Sequence, residues 1–177
     1  MNKNTKELLT GIMIGLFLTL VFAIKVMASP MEDADKYIEE NQIKIPVEVR
    51  EACEYYGNKY DIQPEVLEAV CWVESRCQKT AQDPTKSCKG LMQVKPAVHS
   101  ERMIRLNARN VFGIWDNVEV GTDYLSELLD EEQDLGVALA MYNGQSTAKI
   151  EKARKGEYTG YVKQILTISD ALEKAGK

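Results

Sequence analysis

The chain has 177 residues, 45% of them apolar and 28% charged, and 22 basic against 27 acidic side chains leave a net charge of −5. That balance excludes a disordered or fibrous chain and suits one domain with a real core rather than two. It lacks the basic footprint of a nucleic-acid binder, and a single histidine excludes a multi-histidine metal site.

Lys3 and Lys6 precede an uncharged run of 17 residues, Leu8 to Ile24, after which Lys25 leads into Val26-Met27-Ala28-Ser29-Pro30. Positive, apolar and small residues in that order are the pattern of a signal peptide, with Val26 and Ala28 where a signal peptidase reads. The run is also at the short limit for a spanning helix, so residues 1–28 read as a cleaved leader or as a membrane anchor. In both cases the lysines stay inside and the acidic Glu32, Asp33 and Asp35 go out, so the body works outside the cytoplasm. Without residues 1–28 the balance is 19 basic against 26 acidic residues. An anionic substrate would then have to be held by a shaped groove rather than by bulk charge.

Residues 29–45 are charged and show no period, which predicts a tether between leader and domain. The folded part is then 46–177. Pro46 opens a predicted helix over 47–58. Asp61-Ile62-Gln63-Pro64 starts a second, with Val66, Leu67, Val70 and Val73 at helical spacing, running to about Ser75. A polar loop follows. Gly90-Leu91-Met92-Gln93 then opens a short helix expected to stop near Pro96. Val120, Tyr124, Leu125, Leu128 and Leu129 predict a helix over 117–131. The apolar stretch 135–143 predicts one buried on all sides, and Val162, Ile165, Leu166, Ile168 and Leu172 mark a last one over 158–174. No strand is expected, so the fold class is all-α.

Four cysteines, Cys53, Cys71, Cys77 and Cys88, suit an exported chain with two disulfides. Cys77 and Cys88 flank a polar stretch and are the favoured pair, leaving Cys53 and Cys71 to join two helices or to remain buried thiols. No Cys-x-x-Cys pair suggests zinc or redox chemistry. His99 stands without an obvious nucleophile and reads as a surface residue, and Trp72 and Trp115 read as packing residues. Glu74 is different. It ends an apolar helix, where desolvation and the negative end of the helix dipole both disfavour the carboxylate. A carboxyl group that keeps its proton near neutral pH is what a general acid requires.

The stretch from Tyr60 to Ser75, reading into Cys71-Trp72-Val73-Glu74-Ser75, resembles the entry to the catalytic glutamate in lytic transglycosylases of the soluble-transglycosylase (goose-lysozyme-like) family. Gly90-Leu91-Met92-Gln93 is similar to that family's second motif. Asn117-Val118 with Gly121 and Tyr124-Leu125 resembles its next segment. Ala138-Leu139-Ala140-Met141-Tyr142-Asn143-Gly144 resembles the third motif, and Tyr161-Val162-Lys163 the end of the domain. The blocks span about residues 46–168 in order.

The resemblance implies a lysozyme-like single domain with Glu74 as the one catalytic acid/base. It implies that Ser75, Met92, Gln93, Tyr142 and Asn143 line a groove for peptidoglycan glycan strands, with Gln93 and Tyr142 contacting the sugar and orienting the carboxyl group. No metal or organic cofactor is implied. The reaction expected is cleavage between N-acetylmuramic acid and N-acetylglucosamine with closure of a 1,6-anhydro ring. Asp83-Pro84 leaves an alternative open. If Asp83 reached the groove it could activate water and give a hydrolytic muramidase; otherwise it caps a turn. A non-catalytic wall-binding or assembly module is the other alternative. The partners expected are glycan strands, a membrane through the N-terminal helix, and a secretion, conjugation or phage assembly that must cross the wall.

Overall fold

The computed structural model describes residues 30–176, so the leader expected at 1–28 lies outside the described residues. Eight helices run in chain order: α1 Pro30–Glu40, α2 Val47–Tyr60, α3 Pro64–Ser75, α4 Pro96–Arg105, α5 Ile114–Glu132, α6 Leu135–Tyr142, α7 Thr147–Ala153 and α8 Gly160–Ala175. Among the described residues there are no strands, only two isolated antiparallel bridges, Gln82 with Lys89 and Lys89 with Val94. The all-α expectation holds. No helix among these residues is long and apolar enough to cross a membrane.

The core forms around α3, whose buried Val66, Leu67, Ala69, Val70 and Cys71 leave it no solvated face along most of its length. It packs against α8 and α2; α2 packs on α5, and α5 on α6. Pro64 starts α3 at the first helical position, where its missing N–H costs nothing. Arg76, in the left-handed conformation, ends it by donating to the carbonyls of Cys71 and Trp72. The apolar α6 is buried from Gly136 to Ala140, and Asp134 caps its start by accepting from the Val137 N–H.

Three local expectations are corrected. The tether expected over 29–45 is largely helix: α1 packs on α8, with Ala34 and Ile38 buried one turn apart and Ile43 buried after it. This apolar stripe is narrow and lies among many charges, which hides its period. Residues 90–96 do not form a short helix. Gln93 N–H donates to Gly90 and Val94 N–H to Lys89, a tight turn that closes back on itself. Pro96 accordingly does not stop a helix but opens α4 at its first position.

The four cysteines are free thiols. The favoured Cys77–Cys88 bridge is not formed. Cys77 lies instead in the field of Cys53, while Cys53 and Cys71, both wholly buried, are hydrogen-bonded to one another across α2 and α3. Burial pushes the Cys77 thiol up to about 12, and the Cys53 hydrogen bond and then burial hold the Cys71 thiol well above its usual range.

Candidate active site

Glu74 occupies the last turn of α3 and faces the start of α8, where the Tyr161 hydroxyl donates to its Oε1 at 2.6 Å. Burial pushes the Glu74 carboxyl above the ordinary carboxylate range; the Tyr161 hydrogen bond, which favours the charged form, pulls it part of the way back. Tyr142 adds a second hydroxyl. It is held well above the usual phenol range by burial and then by the Glu74 charge, so it remains a neutral donor. Its hydroxyl donates to the Met92 carbonyl at 2.8 Å, tying the end of α6 to the 90–94 turn.

That turn is set by one buried amide. Asn117, on the first turns of α5, accepts from the Met92 N–H at 2.8 Å and donates to the carbonyls of Lys89 (2.9 Å) and Val111 (2.7 Å). Three hydrogen bonds of about 1 kcal/mol each thus hold two loops on one side chain. Gly90 is required there: its φ is +78°, and a Cβ would stand 2.3 Å from Asn117 Nδ2. Gly121 is required for a different reason, because Met92 packs directly on it and a Cβ would meet Met92 Sδ at 2.6 Å.

The site residues implied by the sequence separate into two groups. Gln93, Tyr142 and Asn143 line one cavity of about 340 Å³ together with His99, Gly121 and Tyr124. Gln93 is in the left-handed conformation, at φ 48°, and its Nε2 donates to the Gly90 carbonyl. Ser75 and Met92 are not among the residues that line this cavity. Ser75 is buried and its hydroxyl donates back to the Cys71 carbonyl within α3, while the Met92 side chain is wholly buried. Met92 packs against Gly121 of the cavity wall; its backbone N–H donates to Asn117 and its carbonyl accepts from Tyr142.

His99 is also corrected. It is only 9% exposed, at a break in α4, and it faces the cavity rather than open solvent. Burial first, then the nearby Arg102 charge, hold its ring below the ordinary imidazole range. Trp72 is buried beneath the Arg76 guanidinium, as a packing residue would be. Trp115 is 40% exposed and meets Tyr55 and Tyr56 edge-on. Asp83 caps a turn. Its carboxylate accepts from the Cys88 N–H at 2.6 Å, the Thr85 N–H at 3.2 Å, the Ser87 hydroxyl at 3.1 Å and the Thr85 hydroxyl. These bonds, the Thr85 hydroxyl foremost, hold it well below the usual carboxylate range.

Three residues of the site carry no role in the sequence reading: Tyr161, Tyr124 and Asn117. Each lies in a motif that the sequence displays, but only the third dimension brings Tyr161 to Glu74 across 87 positions. Tyr124 connects His99 to Tyr142 in a row of rings, with centroids 4.6 and 5.4 Å apart.

The family model of the transglycosylase SLT domain matches residues 51–164, which contain Glu74, the 90–94 turn, Asn117, Tyr142 and Tyr161. The chain belongs to the transglycosylase SLT domain family. That family consists of lytic transglycosylases, so the chain's function is of the type that acts on cell-wall peptidoglycan, outside the cytoplasm. No curated protein sequence matches the chain.

Proposed function

We propose that the chain is a peptidoglycan lytic transglycosylase on a lysozyme-like domain, with Glu74 as its single general acid/base. Glu74 in its acid form protonates the glycosidic oxygen, and the bond from that oxygen to C1 of the muramic residue breaks. The resulting carboxylate then takes the proton from the C6 hydroxyl of the same sugar. That oxygen attacks C1 and closes the 1,6-anhydro ring. Glu74 ends as it began, and no water is consumed. An internal nucleophile held in place can outcompete water through its high effective molarity.

The observation that carries this reading is the Tyr161–Glu74 hydrogen bond at 2.6 Å on a carboxyl group raised by burial. One residue must serve as acid and then as base. Burial favours the first form and the tyrosine the second. Gln93, Tyr142 and Asn143 bind and orient the glycan along the cavity wall. The hydrolytic alternative needs a second carboxylate to activate water, and Asp83 is engaged by its own turn. Residues 1–28 are read as the export leader or anchor that delivers the domain to the wall.

Digestion of purified peptidoglycan, with mass spectrometry of the soluble fragments, tests the proposal. Muramic ends lighter by one water are expected, and Glu74→Gln should release them ~10²–10⁴-fold more slowly. Ordinary reducing ends would make the chain a hydrolase. Retention of glycan by the wild type without any fragments would make it a binding module.

A further inference from the structure

His99 has no part in the reaction just described, yet it is built into the cavity wall with unusual care. Helix α4 departs from helical geometry at this residue, φ −103° and ψ 19°, and the ring lies against Tyr124 with centroids 4.6 Å apart. Its Nδ1 is 2.9 Å from Arg102 Nη1. A guanidinium has donors only, so the ring nitrogen facing it must be the acceptor and the imidazole proton must sit on Nε2. Arg102 is itself immobilised: its Nε donates to Asp123 at 2.7 Å, its Nη2 to Glu127, and the guanidinium covers the other side of the wall by lying over the Tyr124 ring. The tautomer is therefore imposed by a network anchored on α5.

The Nε2–H has no hydrogen-bond partner among the described residues. It is not among the sealed polar atoms without one, which are Arg50 Nε, Glu68 Oε2, Thr122 Oγ1 and Gln145 Oε1. The Nε2–H is therefore an unsealed donor on a residue that lines the cavity. The same cavity offers apolar surface from Val98, Val120 and Met141, alongside the polar Gln93, Lys95 and Asn143. One directed donor beside apolar surface fits a carbonyl oxygen carried next to a methyl group. A bare hydroxyl would leave the apolar part unused, and an ammonium placed at His99 would meet a donor.

We propose that His99 is a substrate-contacting specificity residue whose Nε2–H donates to the carbonyl oxygen of an acetamido group of the glycan, with the acetyl methyl against Val98, Val120 and Met141. The proposal rests on the glycan reading above. It makes this cavity selective for N-acetylated over deacetylated amino sugars. Losing the acetyl group removes the acceptor and the methyl together, and leaves a desolvated donor unpaired.

The chain contains one histidine, so both imidazole nitrogens are assigned unambiguously by nitrogen-15 NMR. The full chain carrying Glu74→Gln, which cannot consume its ligand, is titrated with the N-acetylglucosamine tetramer and with the deacetylated tetramer. Nδ1 should resonate as unprotonated and Nε2 as protonated. The acetylated oligomer should move the Nε2–H signal, and the deacetylated one should not. His99→Phe keeps a ring on Tyr124 but has no N–H; its affinity for the acetylated tetramer should fall about tenfold. On peptidoglycan the same change in the wild-type background should raise KM by more than it lowers kcat, with part of the loss restored by His99→Gln. A silent imidazole while backbone signals shift, or equal binding by the Phe variant, overturns the proposal. Failure of both oligomers to bind overturns it as well. The digest then separates the two readings, since anhydro fragments would leave the transglycosylase standing and their absence would remove both.

Discussion

The Tyr161 hydroxyl sits 2.6 Å from Glu74 Oε1 and favours the carboxylate over the acid. Removing it in Tyr161→Phe leaves burial unopposed, so the Glu74 carboxyl rises further and stays protonated to higher pH. A general acid must be protonated to act, hence the alkaline limb of the pH–rate profile should move upward while the maximal rate falls roughly tenfold. A tyrosine that served only packing would lower the rate without moving the limb. Glu68, on the same helix, shows burial acting without function. It is 2% exposed, its Oε1 is 3.5 Å from Arg50 Nε, and neither that nitrogen nor its Oε2 has a hydrogen bond. Burial pushes this carboxyl from 4.5 up to about 7 against the pull of Arg50. Between those values the folded chain holds a proton that the unfolded chain has released. Stability therefore falls as pH rises through the window and levels off above about 7. Glu68→Gln keeps the shape and removes the titration. Urea unfolding should show the wild type losing on the order of 2 kcal/mol across the window more than the variant does.

At the scale of elements, the site is an assembly of ends. Glu74 comes from the C-terminus of α3, Tyr142 from that of α6, Tyr161 from the start of α8 and Asn117 from the start of α5. None of these ends is free to move, because α3 is clamped between α2 and α8, and α6 packs on α5. Helix α1 belongs to this clamp. It covers the far side of α8 with Ala34 and Ile38, and so supports the helix that carries Tyr161. Ile38→Ala should cost about 2–4 kcal/mol in urea unfolding of the full chain. A residue in a solvated tether would cost nothing measurable, which makes this one substitution a direct test of α1.

On the scale of the whole molecule, charge and fold pull in different directions. The chain is acidic, with a net charge of −5, and peptidoglycan carries carboxylates of its own, so encounter is opposed by repulsion while the groove supplies specificity. Salt should therefore help. Raising ionic strength from about 0.02 to 0.2 M shortens the screening length from roughly 20 to 7 Å and should increase the initial rate of wall digestion by a small factor. An enzyme drawn to the wall by basic patches would slow under the same change. One pairing reaches below the surface: Arg102 and Arg105 converge on the largely buried Asp123, where hydrogen bonds from them and from Tyr60 outweigh burial and hold that carboxyl below its usual range.

Periodicity was sufficient for the long helices, because α2, α3, α5 and α8 each bury a stripe wide enough to appear in the order of residues. It failed at α1, where the buried stripe is narrow and crowded by charge, and at α4, where Pro96 can either end or begin a helix and only the closure of the 90–94 turn decides which. The candidate acid was legible because Glu74 ends an apolar helix, and Gln93, Tyr142 and Asn143 were legible through their motifs. Tyr161, Asn117 and His99 had their roles hidden for a common reason. A hydroxyl, an amide and an imidazole acquire direction only from partners far away in the chain, and no local pattern records those partners. Sequence alone determined the helical class and the family, and it offered Glu74 as the candidate acid. Tertiary structure decided the rest. It turned Asp83 into its own loop, buried Ser75 and Met92, and brought a tyrosine 87 positions away to the oxygen of Glu74. Proton affinity and hydrogen-bond direction depend on distances of a few ångströms, and those exist only once the helices have packed.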